Sequence, residues 1–299
     1  MTPTPGFIAV GINGSAGSDT AVRYAAARAR RSGVGLRLVH ALPDYLPASR
    51  PFGISVGDLA PAGRALLREA SRIAREEWAD VPLDVTLMTG PWVKAILHAS
   101  EGSSTIVLGC EQRSSLQRLA TGTTVIGVAA RAPIPVVAVA ASMIRPEQGR
   151  ITVGIKHVSE SSALLRASFE EARFRGSELY VVHAWAMPPG YEDLLSSPSA
   201  RAEVVQAESD SLSEVVVSVA EQFPEVKTTL EVVEGNPART LQAASEVSDL
   251  LLLARRRHGF PRGHLGGTAR ALLHHSSCPV AILPPADEPA HLVAAEPDR

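Results

Sequence analysis

FIAVGIN at Phe7–Asn13 and ITVGIKH at Ile151–His157 are one phrase written twice, and the chain keeps repeating beyond them. LRLVHAL at Leu36–Leu42 returns as LYVVHAW at Leu179–Trp185, and TGPWVKAILHAS at Thr89–Ser100 as EGNPARTLQAAS at Glu234–Ser245. TIVLG at Thr105–Gly109 returns as LLLLA at Leu250–Ala254, and IPVVAV at Ile134–Val139 as CPVAIL at Cys278–Leu283. Matching segments in one order, at an offset of about 145 residues, mark a duplicated domain. The seam falls near Pro146–Arg150, so domains are expected at 1–146 and 147–286. A polar, Pro-rich tail at 287–299 is expected to be mobile.

Each half reads as strand, helix, strand, helix, strand, short helix, strand, loop, helix, strand. Short uninterrupted apolar runs such as IVL at 106–108 and VVAV at 136–139 suit a parallel sheet covered by helices on both faces. The first helix is expected to be capped by Ser18 or Asp19 and to stop at Gly33. A second helix is expected over Asp58–Trp78, with its counterpart over Ala200–Phe223. Strands alternating with helices imply right-handed βαβ units. The fold class is therefore α/β, two tandem doubly wound domains.

At 299 residues the chain is long enough for two cores, and its 45% hydrophobic and 20% charged residues describe a globular protein. A net charge of -2, from 29 basic and 31 acidic side chains, argues against nucleic acid or a membrane surface as partner. Aromatic residues, at 4%, are too few for base-stacking platforms. Cys110 and Cys278 form no C-x-x-C pair, which suits a reducing compartment. The first residues, MTPTPGFIAVG, lack the features of a signal peptide, and no apolar run is long enough to span a bilayer. A cytoplasmic location is expected.

In an open parallel sheet, ligands bind beyond the carboxyl ends of the strands, where helix N-termini favour phosphate. Three first-half segments reach that edge: Ile12–Ser15, His40–Leu42 and the long stretch Gly109–Thr124. Gly109 ends a strand, and Gly122-Thr123-Thr124 is expected to open the next helix, either cradling an oxyanion or serving as a turn and cap. With Gly109-x2-Gln112-x9-Gly122-Thr123 and ALLHHSSCPV at 271–280, the chain resembles the universal stress protein family in its tandem form. That resemblance covers Phe7–Val139 and Ile151–Leu283. It implies strand order 3-2-1-4-5 in each five-stranded sheet and halves packed as a pseudo-twofold pair through their fifth strands. It also implies ATP, with adenine near the ends of strands 1 and 2 and phosphates on the long loop. The residues it assigns to the nucleotide are Gly11, Asn13, Ala41, Gly109, Gln112, Arg113, Gly122, Thr123 and Thr124. Gln112 replaces the loop's second glycine, and Asn13 replaces the acidic residue usual after strand 1.

The second half departs further. Its corresponding residues are Lys156, Ala184, Ala254, Arg257, Gly267 and Thr268, and side chains at Ala254 and Arg257 are expected to crowd the nucleotide path. The site is read as degenerate, with Arg255-Arg256-Arg257 either a phosphate collector or a solvated loop. Ser15–Thr20 resembles the phosphate loop of adenylating enzymes but is also an ordinary turn and cap, without an activating lysine or a metal-binding carboxylate pair. Adjacent helical residues diverge by about 100°, so His274 and His275 do not share an ion, and no metal is expected. His40 and His183 are expected to position the backbone of Ala41 and Ala184, with no carboxylate partner evident. No catalytic residue is assigned. The leading reading is a stress-associated regulatory protein binding ATP in its first domain. The alternatives are a nucleotide-free interaction scaffold and, less favoured, an adenylating enzyme. A protein partner remains unidentified, and a homodimer beyond the internal pseudo-dimer stays open.

Overall fold

A computed structural model describes residues 6–44, 56–110, 118–143, 145–187, 197–255 and 264–285. These form two compact units, the first holding the described residues through Met143 and the second most of those from Arg145 onward. The 287–299 tail lies outside the described residues.

The first unit runs β1 (Phe7–Gly11), α1 (Ala16–Ser32), β2 (Gly35–Leu42), α2 (Ala60–Glu77), β3 (Leu83–Thr89), α3 (Trp92–Ala99), β4 (Ser103–Cys110), α4 (Arg118–Ala129) and β5 (Val136–Ala140). The second runs β6 (Arg150–Ile155), α5 (Ser162–Arg175), β7 (Glu178–Trp185), α6 (Pro198–Ala220), β8 (Thr228–Glu234), α7 (Pro237–Ser245), β9 (Leu250–Ala254), α8 (Gly267–His275) and β10 (Val280–Leu283). All pairings within each unit are parallel. The first unit's strand order is β3-β2-β1-β4-β5. The second unit's is β8-β7-β6-β9-β10, the same topology. The expected order 3-2-1-4-5 holds in both. Ile8, Leu36, Leu38 and Ile106 are fully buried in the first sheet, as are Ile151, Leu179 and Leu250–Leu252 in the second. Both faces of the central strands are covered, which is why their sequences run apolar without alternation.

Helix ends depart from expectation by a few residues, for identifiable reasons. The cap of α1 is Ser15, not Ser18 or Asp19. Asn13 Oδ1 accepts from Ser15 N at 3.1 Å and from Ser15 Oγ at 2.7 Å, fixing a turn that starts the helix early. Ser15 Oγ in turn accepts from Ser18 N at 3.2 Å. Helix α2 follows a 3-10 turn at Val56–Leu59, and α6 starts at Pro198 because Ser197 Oγ caps Ala200 N at 3.0 Å. Gly33 ends α1 as expected, at φ 66. In the second unit, Arg145 donates to the carbonyls of Ser245 and Glu246 at 2.7 Å each, and to Ser248, satisfying the open end of α7.

Helix α1 crosses β4 almost backbone to backbone. A Cβ at Gly109 would lie 2.3 Å from Gly17 C and 2.4 Å from Ser18 N, and one at Gly17 would lie 2.8 Å from Cys110 O. The second unit lacks this crossing. Strand register sets Gly11 against Leu108 and Gly154 against Leu253, so Ala254 answers to Gly109. A 3-10 turn at Val158–Glu160 occupies the place of the first turn of α1, and α5 begins only at Ser162. Ala254 is exposed there.

Two outcomes follow from this packing. Gly109→Ala should destabilise the chain by about 1–3 kcal/mol in urea unfolding, because backbone must shift, whereas Ala254→Gly should cost no more than about 1 kcal/mol. Equal costs would contradict the close crossing. Burial raises the thiols of Cys110 and Cys278 to about 11 each. Their thiolate fraction therefore stays small at neutral pH and grows only as pH approaches 11. Alkylation of the native protein at pH 8 should be slow and become fast on unfolding; rapid native labelling of both would contradict the burial.

Candidate functional site

The carboxyl ends of β1, β2 and β4 meet at one edge of the first unit. His40, near the end of β2, donates from Nδ1 to the carbonyl of Ile12 at 2.7 Å, tying the end of β2 to the segment after β1. In the second unit His183 donates to Ile155 O at 3.0 Å. Both histidines thus clamp the strand 1 exit, while Ala41 and Ala184, each 8% exposed, follow them at the edge. The expectation that neither had a carboxylate partner is corrected for His183, whose Nε2 lies 3.7 Å from Glu208 Oε2 on α6. Nothing in the sequence spacing linked those residues, because α6 is brought over β7 only by the fold.

After β1 the chain turns through exposed Asn13 and Gly14. Gly14 has φ +75, and a Cβ there would lie 2.6 Å from Leu66 on α2. The turn calls for glycine through its left-handed backbone, and a larger residue would also have to push aside the tip of Leu66. Asn13 spends its carbonyl oxygen on Ser15. Its carboxamide nitrogen is left as a donor that a ligand could use.

The glycines assigned to the nucleotide have other neighbours. A Cβ at Gly11 would meet Leu108 at 2.5 Å, and one at Gly154 would meet Leu241 at 2.7 Å and Leu253 at 2.8 Å. Gly109 is pressed against Gly17 and Ser18, as described above. The absence of a side chain at these positions serves helix and strand packing. Gly17, which sequence reasoning missed, completes the crossing; its clue was a second small residue following Ser15-Ala16 in the cap. In the second unit Ala254 meets no such helix turn, because α5 starts only at Ser162.

A further correction concerns the helix after β4. Helix α4 begins at Arg118, so Gly122-Thr123-Thr124 lies inside it and does not open it. Arg118-Leu119-Ala120 are strong helix formers and carry the helix back toward the loop. Gly267-Thr268 does open α8, behind an N-cap Gly266, because Gly266-Gly267 cannot extend a helix upstream. Gly267 faces open space. Gln112, Arg113 and Arg257 lie outside the described residues.

The second unit's edge has a different character. Lys156 is exposed at the position of Asn13. Trp185 answers to Leu42, and its Nε1 is buried without a hydrogen-bond partner among the described residues. His274 and His275 have ring centroids 6.3 Å apart and tilted by 59°. Among the described residues no three His, Cys, Asp or Glu side chains are grouped to hold an ion, and no helix is long and apolar enough to cross a membrane.

A sequence model of the universal stress protein family matches residues 7–140 and again 148–284. A universal stress protein of Mycobacterium tuberculosis is 28% identical over 289 residues, covering 92% of this chain and 96% of its own length. A second from the same organism is 27% identical over 271 residues, covering 87% and 90%. Among solved structures, a universal stress protein from Archaeoglobus fulgidus superposes with TM-score 0.64 at 18% identity, over 93% of this chain and 98% of that one. A protein of unknown function from Pseudomonas aeruginosa gives TM-score 0.64 at 17% identity, over 95% and 94%. These two structures speak for the fold. Topology, duplication and the double family match converge, and the chain belongs to the universal stress protein family as a tandem of two such domains.

Proposed function

We propose that this chain is a stress-associated regulatory protein of the cytoplasm that binds ATP at the strand edge of its first unit, without turning it over. The observation that carries the reading is the seat of α1 on Gly109. It brings the Asn13–Ser15 turn and the helix N-terminus to the root of the loop that leads from Cys110 to α4. An N-terminus there favours phosphate, and the Asn13 carboxamide beside Ala41 suits the adenine or ribose end. Gln112, Arg113, Gly122, Thr123 and Thr124 are the loop and helix residues assigned to the phosphates. In the second unit the 3-10 turn, Lys156 and Trp185 replace this arrangement, so its site is read as degenerate.

The scaffold reading, in which the fold recruits a protein partner without nucleotide, has one observation in its favour. Gly11 and Gly109 are required by packing, so their presence does not by itself speak for a ligand.

Calorimetry on the intact chain should find at most one ATP per chain. Gly122→Val should abolish binding and Gly267→Val leave it, with turnover below about one per minute in either case. Two equal sites, or loss through Gly267→Val alone, would show the assignment to be reversed. No binding at all would favour the scaffold.

A further inference from the structure

Helix α2 turns one row of arginines toward the outer strand of its own sheet. Arg64, Arg68, Ser71 and Arg75 follow one another at i, i+4, i+7 and i+11, which is a single helix face. With Leu67 they line an open groove of about 590 Å³ whose other wall is Val85 and Leu87 of β3. Leu67 and Ser71 are buried at its floor, while Val85 is 48% exposed. Among the described residues of the first unit β3 pairs with β2 alone, so its other edge offers backbone N–H and C=O groups with no described strand beside them.

The carboxylates nearby are already engaged. Glu69 holds Arg72 at 2.6 Å, and Glu76 holds both Arg72 and, at 3.6 Å, Arg23. Glu77 lies 3.0 Å from Arg23, and Asp84 of β3 lies 2.6 Å from Arg37. Among the described residues Arg64, Arg68 and Arg75 therefore have no carboxylate partner. Three exposed guanidiniums beside an apolar wall and an open strand edge present a surface with unmatched positive charge.

The second unit supplies an internal comparison. Val81 N donates to Trp78 O at 3.2 Å, and Val226 N to Phe223 O at 3.0 Å, so the turns after α2 and α6 are equivalent. In that register Leu67 answers to Leu212, and both are buried. Arg64, Arg68 and Arg75 answer to Ser209, Ser213 and Ala220. The arginine row belongs to the first unit alone, and the shared fold does not require it.

We propose that the α2–β3 groove of the first unit binds an extended acidic peptide, which adds as a strand to β3 and presents carboxylates to Arg64, Arg68 and Arg75. The spacing supports a strand as occupant. Successive side chains on one face of a strand are about 6.8 Å apart, and Arg64 and Arg68 are separated by about 6 Å along their helix. The methylene stems of the glutamates would lie along Val85 while the intervening side chains face the other side of the sheet, and the ladder to β3 would supply affinity that does not depend on charge.

The test uses the full chain and a labelled, blocked peptide alternating glutamate with valine, followed by fluorescence anisotropy. Saturable binding is expected, weakened about tenfold or more by the double substitution Arg64→Glu and Arg68→Glu and by raised salt. Circular dichroism and melting of the variant should match the parent, since both side chains are exposed. Hydrogen exchange at β3 amides should slow on binding. The same peptide N-methylated at every amide, which has no donors for a ladder, should fail to bind. Absence of saturable binding, or binding unchanged in the double variant, overturns the proposal. Equal binding of the N-methylated peptide reduces the surface to charge attraction and overturns strand addition. Capture of phosphatidylserine vesicles, lost in the double variant while the valine peptide fails to bind, would assign the row to a membrane surface instead.

Discussion

The first unit is organised by one contact, the seating of the first turn of α1 directly on the end of β4 at Gly17 and Gly109. No side chain fits between those backbones. The crossing fixes where the helix begins, so the cap must be Ser15, and the cap in turn recruits Asn13 to close the turn after β1. His40 then clamps Ile12 from the side, and the left-handed backbone at φ +75 selects Gly14 beside Leu66. Each of these residues is constrained by its neighbour before any ligand is considered. The edge is preorganised by packing.

The second unit keeps the topology and relaxes that contact. With Ala254 in place of Gly109, the opening of α5 becomes a 3-10 turn and the helix starts later. His183 still clamps Ile155, so the strand 1 to strand 2 tie survives the change. Duplication therefore separated two roles of the strand edge. Holding the sheet together is common to both units, whereas the tight glycine crossing is confined to the first. The arginine row of α2 is a second feature private to that unit, on a different face from the strand edge.

Strand positions and the repeat were legible in the sequence because uninterrupted apolar runs such as Leu250–Leu253 have one use in a chain of alternating strands and helices, whereas the sheet order was implied only by the family resemblance. The meaning of the glycines was not legible. A glycine at a strand end reads equally as a place for phosphate or for a helix backbone, and only the position of Gly17 in space shows that Gly109 admits a helix backbone. The start of α4 was misplaced for a related reason. Gly122 was expected to open the helix, but the preceding Arg118-Leu119-Ala120 have high helical propensity and extend it upstream. Contacts made across long sequence separations, such as Glu208 with His183 or Leu66 with Gly14, had no local signature at all.

The nucleotide assignment is tested most directly by mapping backbone amide shifts in the isotope-labelled chain as ATP is added. The account predicts saturable shifts at Asn13, Gly14, Ala41 and Thr124, with Lys156, Ala184, Gly267 and Thr268 unmoved. Shifts confined to the second set would contradict it.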